Sequence, residues 1–265
     1  GCPRADRGDD PMTRLVRAEW LKLFSTRVWI GLLLGSCVLA GGFAALFTAF
    51  AGDAPEQGGP PPVGTAQYEQ LAFAVASNAT ILFVVLGIIG TTQEYRHRTA
   101  TPTFLASPHR GRVVVAKLIA YALAAIPMAL VVLAVNVTVV LVYAGARGDA
   151  PSLTGDNLQV VLGAGAALVV YAVIGVGVGA LVRNQVGAIV GTLVYLFVVE
   201  TIVQAIPAIS GAYRWLPGGA LEAMTATFSG ADDLLDAWQG ALLLLGYGLL
   251  AAVLGTLLAV RRDVV

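Results

Sequence analysis

The sequence predicts an all-α, polytopic membrane protein with six transmembrane helices, an N-terminal amphipathic helix and cytoplasmic N- and C-termini. The first observation is composition: 57% of the 265 residues are hydrophobic and 12% are charged, whereas a soluble domain has about 25% charged residues. The second is a series of long apolar stretches, and the third is an uneven distribution of basic residues. A chain with so little polar surface needs lipid as its solvent.

Six apolar stretches are each long enough to cross a bilayer, because about 20 helical residues span the hydrocarbon core. They cover residues 28–50, 70–92, 113–143, 158–182, 186–209 and 238–260. Pro127 in the long third stretch predicts a kink or tilt. Only Arg183, Asn184 and Gln185 separate the fourth stretch from the fifth, which predicts a tight hairpin.

Basic residues set the orientation, because Lys and Arg accumulate in cytoplasmic loops. With the N-terminus inside, only Arg147 and Arg214 fall in external loops from Met12 onward. The cytoplasmic segments contain twelve: Arg14, Arg17, Lys22, Arg27, Arg96, Arg98, Arg110, Arg112, Lys117, Arg183, Arg261 and Arg262. This asymmetry favours an even number of spans. Fourteen arginines against two lysines further suggest a bacterium with a GC-rich genome, and hence a bacterial cell membrane.

The N-terminal region divides at Met12. Residues 1–11 differ in composition from the rest, and we expect them to be a non-native or disordered extension. Residues 12–27 place Val16, Trp20, Leu23 and Phe24 on one side of a helix, which predicts an interfacial amphipathic helix. A simple basic flank is the alternative. The following apolar stretch is longer than a signal-peptide core, so we expect residues 28–265 to form one retained six-helix domain.

No motif for covalent chemistry is present. The chain lacks G-x-x-x-x-G-K-[ST] and H-E-x-x-H, and His97 and His109 read as solvated loop residues. We therefore expect no catalytic residue, no bound cofactor, no metal site and no nucleic-acid partner. Three G-x-x-x-G pairs predict close helix packing within the chain, with a dimer contact as the alternative: Gly31/Gly35, Gly175/Gly179 and Gly187/Gly191.

Polar side chains inside the apolar stretches are few. Glu200 is the clearest, one helical turn from Gln204, and a carboxylate at this depth is expected to face the bundle interior or a wet cavity. Glu200 either lines a substrate path or forms a structural ion pair, for example with Arg214. Asn136 is a weaker path-lining candidate, and interhelical hydrogen bonding is its other explanation.

The segment between the second and third stretches, residues 94–117, is long and rich in cations. It docks in a groove of a soluble partner or contacts anionic lipid, and the residues alone favour neither. Its candidate functional residues are Glu94, Tyr95, Arg96, Arg98, Thr99, Phe104, Leu105, Pro108 and Arg110, followed by Lys117.

The order of these parts resembles the type 2 ATP-binding-cassette permeases, the membrane subunits of bacterial ABC exporters. The resemblance lies in Arg-Ala-Glu-Trp-Leu-Lys-Leu at residues 17–23, in Glu94-Tyr95-Arg96 with Thr99, and in the series Leu105, Pro108, Arg110 and Lys117. It implies a dimer of permeases, each bound to a separate ATPase that supplies the ATP and Mg²⁺ site. It also implies that residues 94–117 are the ATPase-coupling loop and that residues 12–27 are the connecting helix.

The resemblance leaves several functional questions open. It does not specify whether the second permease copy is identical to this chain or different from it, and it does not specify the substrate class. The alternatives to an exporter are an immunity or sensing subunit of an ABC-like complex without bulk transport, and an ATP-independent carrier.

Overall fold

The computed structural model describes residues 11–53, 59–96, 110–225 and 234–261. Every regular element in these ranges is helical, which confirms the all-α class. The helices are α1 (Pro11–Ser25), α2 (Val28–Ala49), α3 (Ala66–Ala74), α4 (Thr80–Arg96), α5 (Arg110–Ala146), α6 (Gly155–Val182), α7 (Gln185–Val194), α8 (Glu200–Ala205), α9 (Pro217–Thr225) and α10 (Ala237–Arg261). Three short turns complete the set: 3₁₀ turns at Val75–Ala79 and Ser210–Trp215, and a π-helical turn at Tyr195–Val199.

Five helical stretches in the described ranges are long and apolar enough to cross a membrane. They are Val28–Ala49, Ala66–Glu94, Gly111–Ala146, Gly155–Val182 and Gln185–Ala205. The sixth predicted stretch, residues 238–260, falls on α10, where the apolar helix identified is the shorter Ala237–Ala251. The sixth crossing and the side on which the termini lie therefore stay predictions.

Two span boundaries differ from the sequence prediction for identifiable reasons. The second begins at Ala66 rather than residue 70, because the Thr65 hydroxyl caps α3 by accepting a hydrogen bond from the Tyr68 amide. The fifth ends at Ala205 rather than residue 209, because Ile206 is extended and precedes Pro207, which disfavours helical backbone before it. The third is helical without interruption from Arg110 to Ala146, with Pro127 inside it.

Helix α6 lies at the centre of the bundle and packs against α3, α4, α5, α9 and α10. At the point where α6 crosses α4, the two backbones are so close that neither helix has room for a side chain there. A β-carbon at Gly87 would collide with the Ala172 carbonyl oxygen, and one at Gly175 would collide with that of Val84. The predicted small-residue pair Gly175/Gly179 thus serves packing within the chain.

The helix ends meet in two opposite groups. At one end, the Thr48 hydroxyl lies 2.7 Å from the Tyr68 hydroxyl, and the Arg147 guanidinium donates to the Thr48 carbonyl oxygen. Nearby, the side-chain amide of Asn157 donates a hydrogen bond to the Glu69 carboxylate at a distance of 2.5 Å. These contacts join the end of α2, the start of α3, the end of α5 and the start of α6. Helix α1, the end of α4 and the start of α5 meet at the other end.

Candidate functional site

The site begins with α1, which forms where the amphipathic pattern predicts a helix. Leu23 is buried, and the Trp20 and Phe24 ring centroids lie 4.9 Å apart. Phe24 in turn packs edge-on against Trp29 of α2, with centroids 5.0 Å apart. This aromatic contact holds the end of α1 against the first span. The interfacial position of α1 on a membrane stays a prediction.

Glu19 lies on the buried side of α1 and is only 3% exposed. One carboxylate oxygen accepts a hydrogen bond from Lys22 Nζ at 2.6 Å, and the other accepts one from Lys117 Nζ at 2.5 Å. The first contact is a local pair one helical turn apart. The second joins α1 to α5, across 98 positions of the sequence.

Lys117, in the second turn of α5, is 4% exposed and is surrounded by acceptors. Besides Glu19, its ammonium group donates to Glu94 Oε1 at 3.2 Å and to the Gly90 carbonyl oxygen at 3.0 Å. It also lies 5.9 Å from the centroid of the Tyr121 ring, near the limit for a cation–π contact. A buried ammonium is tolerated only with such partners, because burial removes its hydration.

Lys22 closes the cluster at its exposed edge. Its side chain is 46% exposed, and Nζ donates to Glu94 Oε1 at 2.9 Å as well as to Glu19. Partial burial acts to lower the pKa of Lys22, but the hydrogen bonds and charges of Glu19 and Glu94 outweigh it, so the pKa is raised above 10.5. Lys22 is therefore cationic at neutral pH.

Glu19, Lys22, Glu94 and Lys117 together form what we call the four-residue ion network. Two carboxylates and two ammonium groups balance in charge, and they join three separate helices. The network stabilises the protein only when all its members are present, because removal of one partner from a buried ion pair lowers the free energy of unfolding by about 3–5 kcal/mol. Among the described residues, no group of three or more His, Cys, Asp or Glu side chains is placed to hold a metal ion.

The network contains Glu94 and Lys117, the first and last residues of the predicted 94–117 segment. Glu94 belongs to the network, Tyr95 and Arg96 end α4, and Arg110 begins α5. The remaining candidates lie outside the described residues: Arg98, Thr99, Phe104, Leu105 and Pro108. The structure thus places the two stems of the 94–117 segment and leaves its coupling role as a prediction.

Sequence reasoning missed Glu19 as a site residue, although the helical register contains a signal. Glu19 follows Val16 by three positions and precedes Leu23 by four, so it lies on the same side of α1 as these apolar residues. A carboxylate on an apolar helix face is expected to have a buried cationic partner. The identity of that partner, Lys117, depends on tertiary contacts that the α1 pattern does not contain.

The predicted path-lining residue Glu200 is buried, at 5% exposed, in the first turn of α8. Its carboxylate accepts a hydrogen bond from the Gly218 amide at 3.0 Å and is hydrogen-bonded to the Tyr195 side chain. The structure does not form the alternative pair with Arg214, whose guanidinium lies 5.5 Å from the Trp215 ring centroid. Within the described residues, Glu200 has no basic partner.

The other two path-lining candidates are not brought together with Glu200. Gln204 is exposed on α8. Asn136 is fully buried on α5, where its amide nitrogen donates to the Ala72 carbonyl oxygen of α3 at 3.3 Å. This is the interhelical hydrogen bond that the sequence offered as the other explanation of Asn136. Its amide oxygen has no hydrogen-bond partner among the described residues.

Long apolar helices with a charged network at one end define a multi-pass membrane protein. A family model described as ABC-2 family transporter protein matches residues 15–199, well over half of the chain, and the chain belongs to this family. The match covers most of α1 and the whole four-residue ion network, and it ends one residue before Glu200. Membership confirms the resemblance and indicates an ABC permease subunit. No curated protein matches the chain.

Proposed function

We propose that the chain is the permease subunit of an ATP-driven exporter in a bacterial cell membrane. In this proposal it has six spans and cytoplasmic termini, pairs with a second permease copy, and binds a separate ATPase that holds the ATP and Mg²⁺. The 94–117 segment is the surface that the ATPase contacts. The chain itself performs no covalent chemistry.

The observation that carries this proposal is the position of the four-residue ion network. Glu94, close to the C-terminal end of α4, is the first residue of the segment, and Lys117, in α5, is its last. Glu19 bonds to Lys117, and Lys22 bonds to both carboxylates. Both stems of the segment are thus fastened to each other and to α1.

Such a network suits the transmission of a push or pull from a partner protein. Coupling between distant sites is carried by packed side chains and ion-pair networks that move as units. When the ATPases close on ATP, displacement of the 94–117 segment moves α4 and α5, and the network moves α1 with them. The spans then shift as rigid bodies to open or close the transport path.

The direct test is co-purification of a P-loop ATPase with this chain, followed by measurement of ATP turnover by the complex reconstituted in vesicles. We expect Arg96→Ala to lower permease-stimulated turnover severalfold while the complex still co-purifies. We expect Glu19→Gln to do the same from a position outside the segment, because it weakens the tie between α1 and α5. Glu69→Gln, at the opposite end of the bundle, is the matched control and should keep wild-type turnover.

Failure of the ATPase to co-purify with the wild-type chain would overturn the proposal. Wild-type turnover in both Arg96→Ala and Glu19→Gln would overturn the role of the segment and of the network. Stimulation of turnover by an added membrane-active peptide that is not itself moved across the vesicle membrane would instead support the sensing or immunity alternative.

A further inference from the structure

An apolar cavity of about 470 Å³ lies between α4, α6, α7 and α10. It lies within the spans, because Tyr171 and Val182 of α6 both line it and are about 16 Å apart along the helix axis. Small-molecule sites in proteins have volumes of about 300–1,000 Å³ and are mostly apolar with a few polar groups. The cavity fits this description in size and lining.

Three of the four polar side chains that line the cavity are tyrosines, Tyr171, Tyr195 and Tyr247. The fourth, Thr192, donates to the Ala188 carbonyl oxygen of its own helix at 2.8 Å. Two of the three tyrosine hydroxyls already donate hydrogen bonds to the backbone. Tyr171 donates to the Pro217 carbonyl oxygen at 3.1 Å, and Tyr247 donates to the Trp215 carbonyl oxygen at 2.7 Å. Tyr195 is bonded instead to the carboxylate of Glu200. Glu200 therefore lies one hydrogen bond behind the cavity wall.

The backbone around Glu200 is specialised on both sides. The π-helical turn Tyr195–Val199 directly precedes it, and such turns frequently occur at functional sites. On the other side, Gly218 allows the carboxylate to approach its amide, because a β-carbon there would collide with Glu200 Oε2. The chain thus places a buried carboxylate without a basic partner in the described residues beside a cavity lined by aromatic rings.

We propose that this cavity binds a lipophilic cation, with its charge among the three tyrosines and Glu200 and its apolar part along α6 and α7. The inference rests on the proposed transport function and names its substrate class. Tyrosine rings attract cations through their quadrupoles, and a carboxylate in an apolar environment gains most from a cationic partner. An anion of the same size meets an apolar wall and an unfavourable charge.

The test uses the full-length chain in lipid nanodiscs, without ATP, and equilibrium dialysis of radiolabelled tetraphenylphosphonium. Tetraphenylborate, an anion of similar size and shape, and empty nanodiscs measure partition into lipid. We expect saturable binding of the cation and only background binding of the anion. Glu200→Gln keeps an oxygen that can accept from Gly218, and we expect it to weaken cation binding at least tenfold.

A second variant fills the cavity without disturbing the Glu200 contacts. Gly191 lines the cavity, and a β-carbon on it would meet no atom within 4 Å, so Gly191→Phe has space to enter. We expect it to abolish saturable cation binding. Gly31→Phe is the matched control, because Gly31 has equally open space in α2 and does not line the cavity. Glu69→Gln is the control for loss of a carboxylate.

Cation binding of wild-type strength in Glu200→Gln, or in Gly191→Phe, would overturn the inference, provided that each variant elutes as a single species in size-exclusion chromatography. Equal binding of cation and anion by the wild type would also overturn it, and would indicate an uncharged Glu200. Because this assay contains no ATPase, its outcome is independent of the turnover assay. Saturable binding without ATP-coupled turnover would retain the site and reject the exporter.

Discussion

Lys117 shows how a charged residue is maintained inside an apolar bundle. Its ammonium group has three hydrogen-bond acceptors, two of them carboxylates and one the Gly90 carbonyl oxygen. An ammonium group can donate three hydrogen bonds, so its capacity is filled. The large cost of burying the charge is thereby offset, and the loss of any one acceptor would leave part of that cost uncompensated.

This environment predicts different effects for the two lysines that share Glu19 and Glu94. Lys117→Met removes the ammonium donor from Oε2 of the buried Glu19 and leaves only Lys22, at Oε1, so we expect it to lower the free energy of unfolding by about 3–5 kcal/mol. Lys22 contacts the same carboxylates from a half-exposed position, so Lys22→Met should cost about 0–1 kcal/mol. Unfolding of the purified protein in detergent, followed by circular dichroism, measures both.

The double variant Glu19→Gln with Lys117→Met separates burial of charge from loss of packing. It removes one charge of each sign, so we expect it to be more stable than Lys117→Met alone. Equal destabilisation by Lys22→Met and Lys117→Met would contradict the ranking of the two sites by burial.

At this scale the sequence predicts which residues are unusual, but not which residues they contact. Glu94, Lys117 and Glu200 stand out because charge is rare next to or within apolar stretches. The contact of Glu19 with Lys117 and that of Glu200 with Gly218 depend on how distant segments pack. The conformation around Glu200, with a π-helical turn before it, has no comparable signature in residue type.

At the scale of elements, the lengths of the helices follow closely from the apolar stretches, whereas their ends depend on local chemistry. The third and fourth predicted stretches, 113–143 and 158–182, lie within α5 and α6. The fifth ends early at Ile206, where the following proline restricts the backbone. Hydropathy does not contain this restriction, because Ile206 and Ile209 are as apolar as the helix before them.

Close contact between α4 and α6 gives a prediction at this scale. In Gly87→Ala the new methyl group would collide with the backbone carbonyl of Ala172, so the two helices must separate. Backbone atoms of two packed helices yield less readily than a side-chain tip, and we expect a loss of about 1–3 kcal/mol in the free energy of unfolding. The thermal midpoint in detergent should fall accordingly.

Gly42→Ala is the matched control for Gly87→Ala. Gly42 also lies inside a long apolar helix, α2, but a β-carbon there meets no atom within 4 Å. Its replacement should leave the protein unchanged or slightly more stable, because alanine is the better helix former. A similar decrease in both variants would mean that helix packing at Gly87 does not decide the effect.

At the scale of the whole molecule, the two ends of the bundle differ in chemistry. The network end contains α1 with its basic residues, and Arg183 follows α6 on the same side as the start of α5. The opposite end has Glu69 and Asn157 in contact, with Asp149 and Asp156 nearby in the sequence. This grouping of helix ends matches the alternation of loops from which the sequence predicts orientation.

The grouping leads to a prediction about the sixth span. If α10 crosses the membrane, a green fluorescent protein fused after Val265 should fluoresce, because this reporter matures in the cytoplasm. Alkaline phosphatase fused at the same position should be inactive, because this enzyme becomes active only outside the cytoplasm.

Two further phosphatase fusions calibrate the assay. A fusion after Gly148, between α5 and α6, should be active, and one after Asn184 should be inactive. Arg261, the last residue of α10, and Arg262, which follows it in the sequence, favour this orientation by the positive-inside rule. An active phosphatase at Val265 would reduce the protein to five spans and place its C-terminus opposite the ion network.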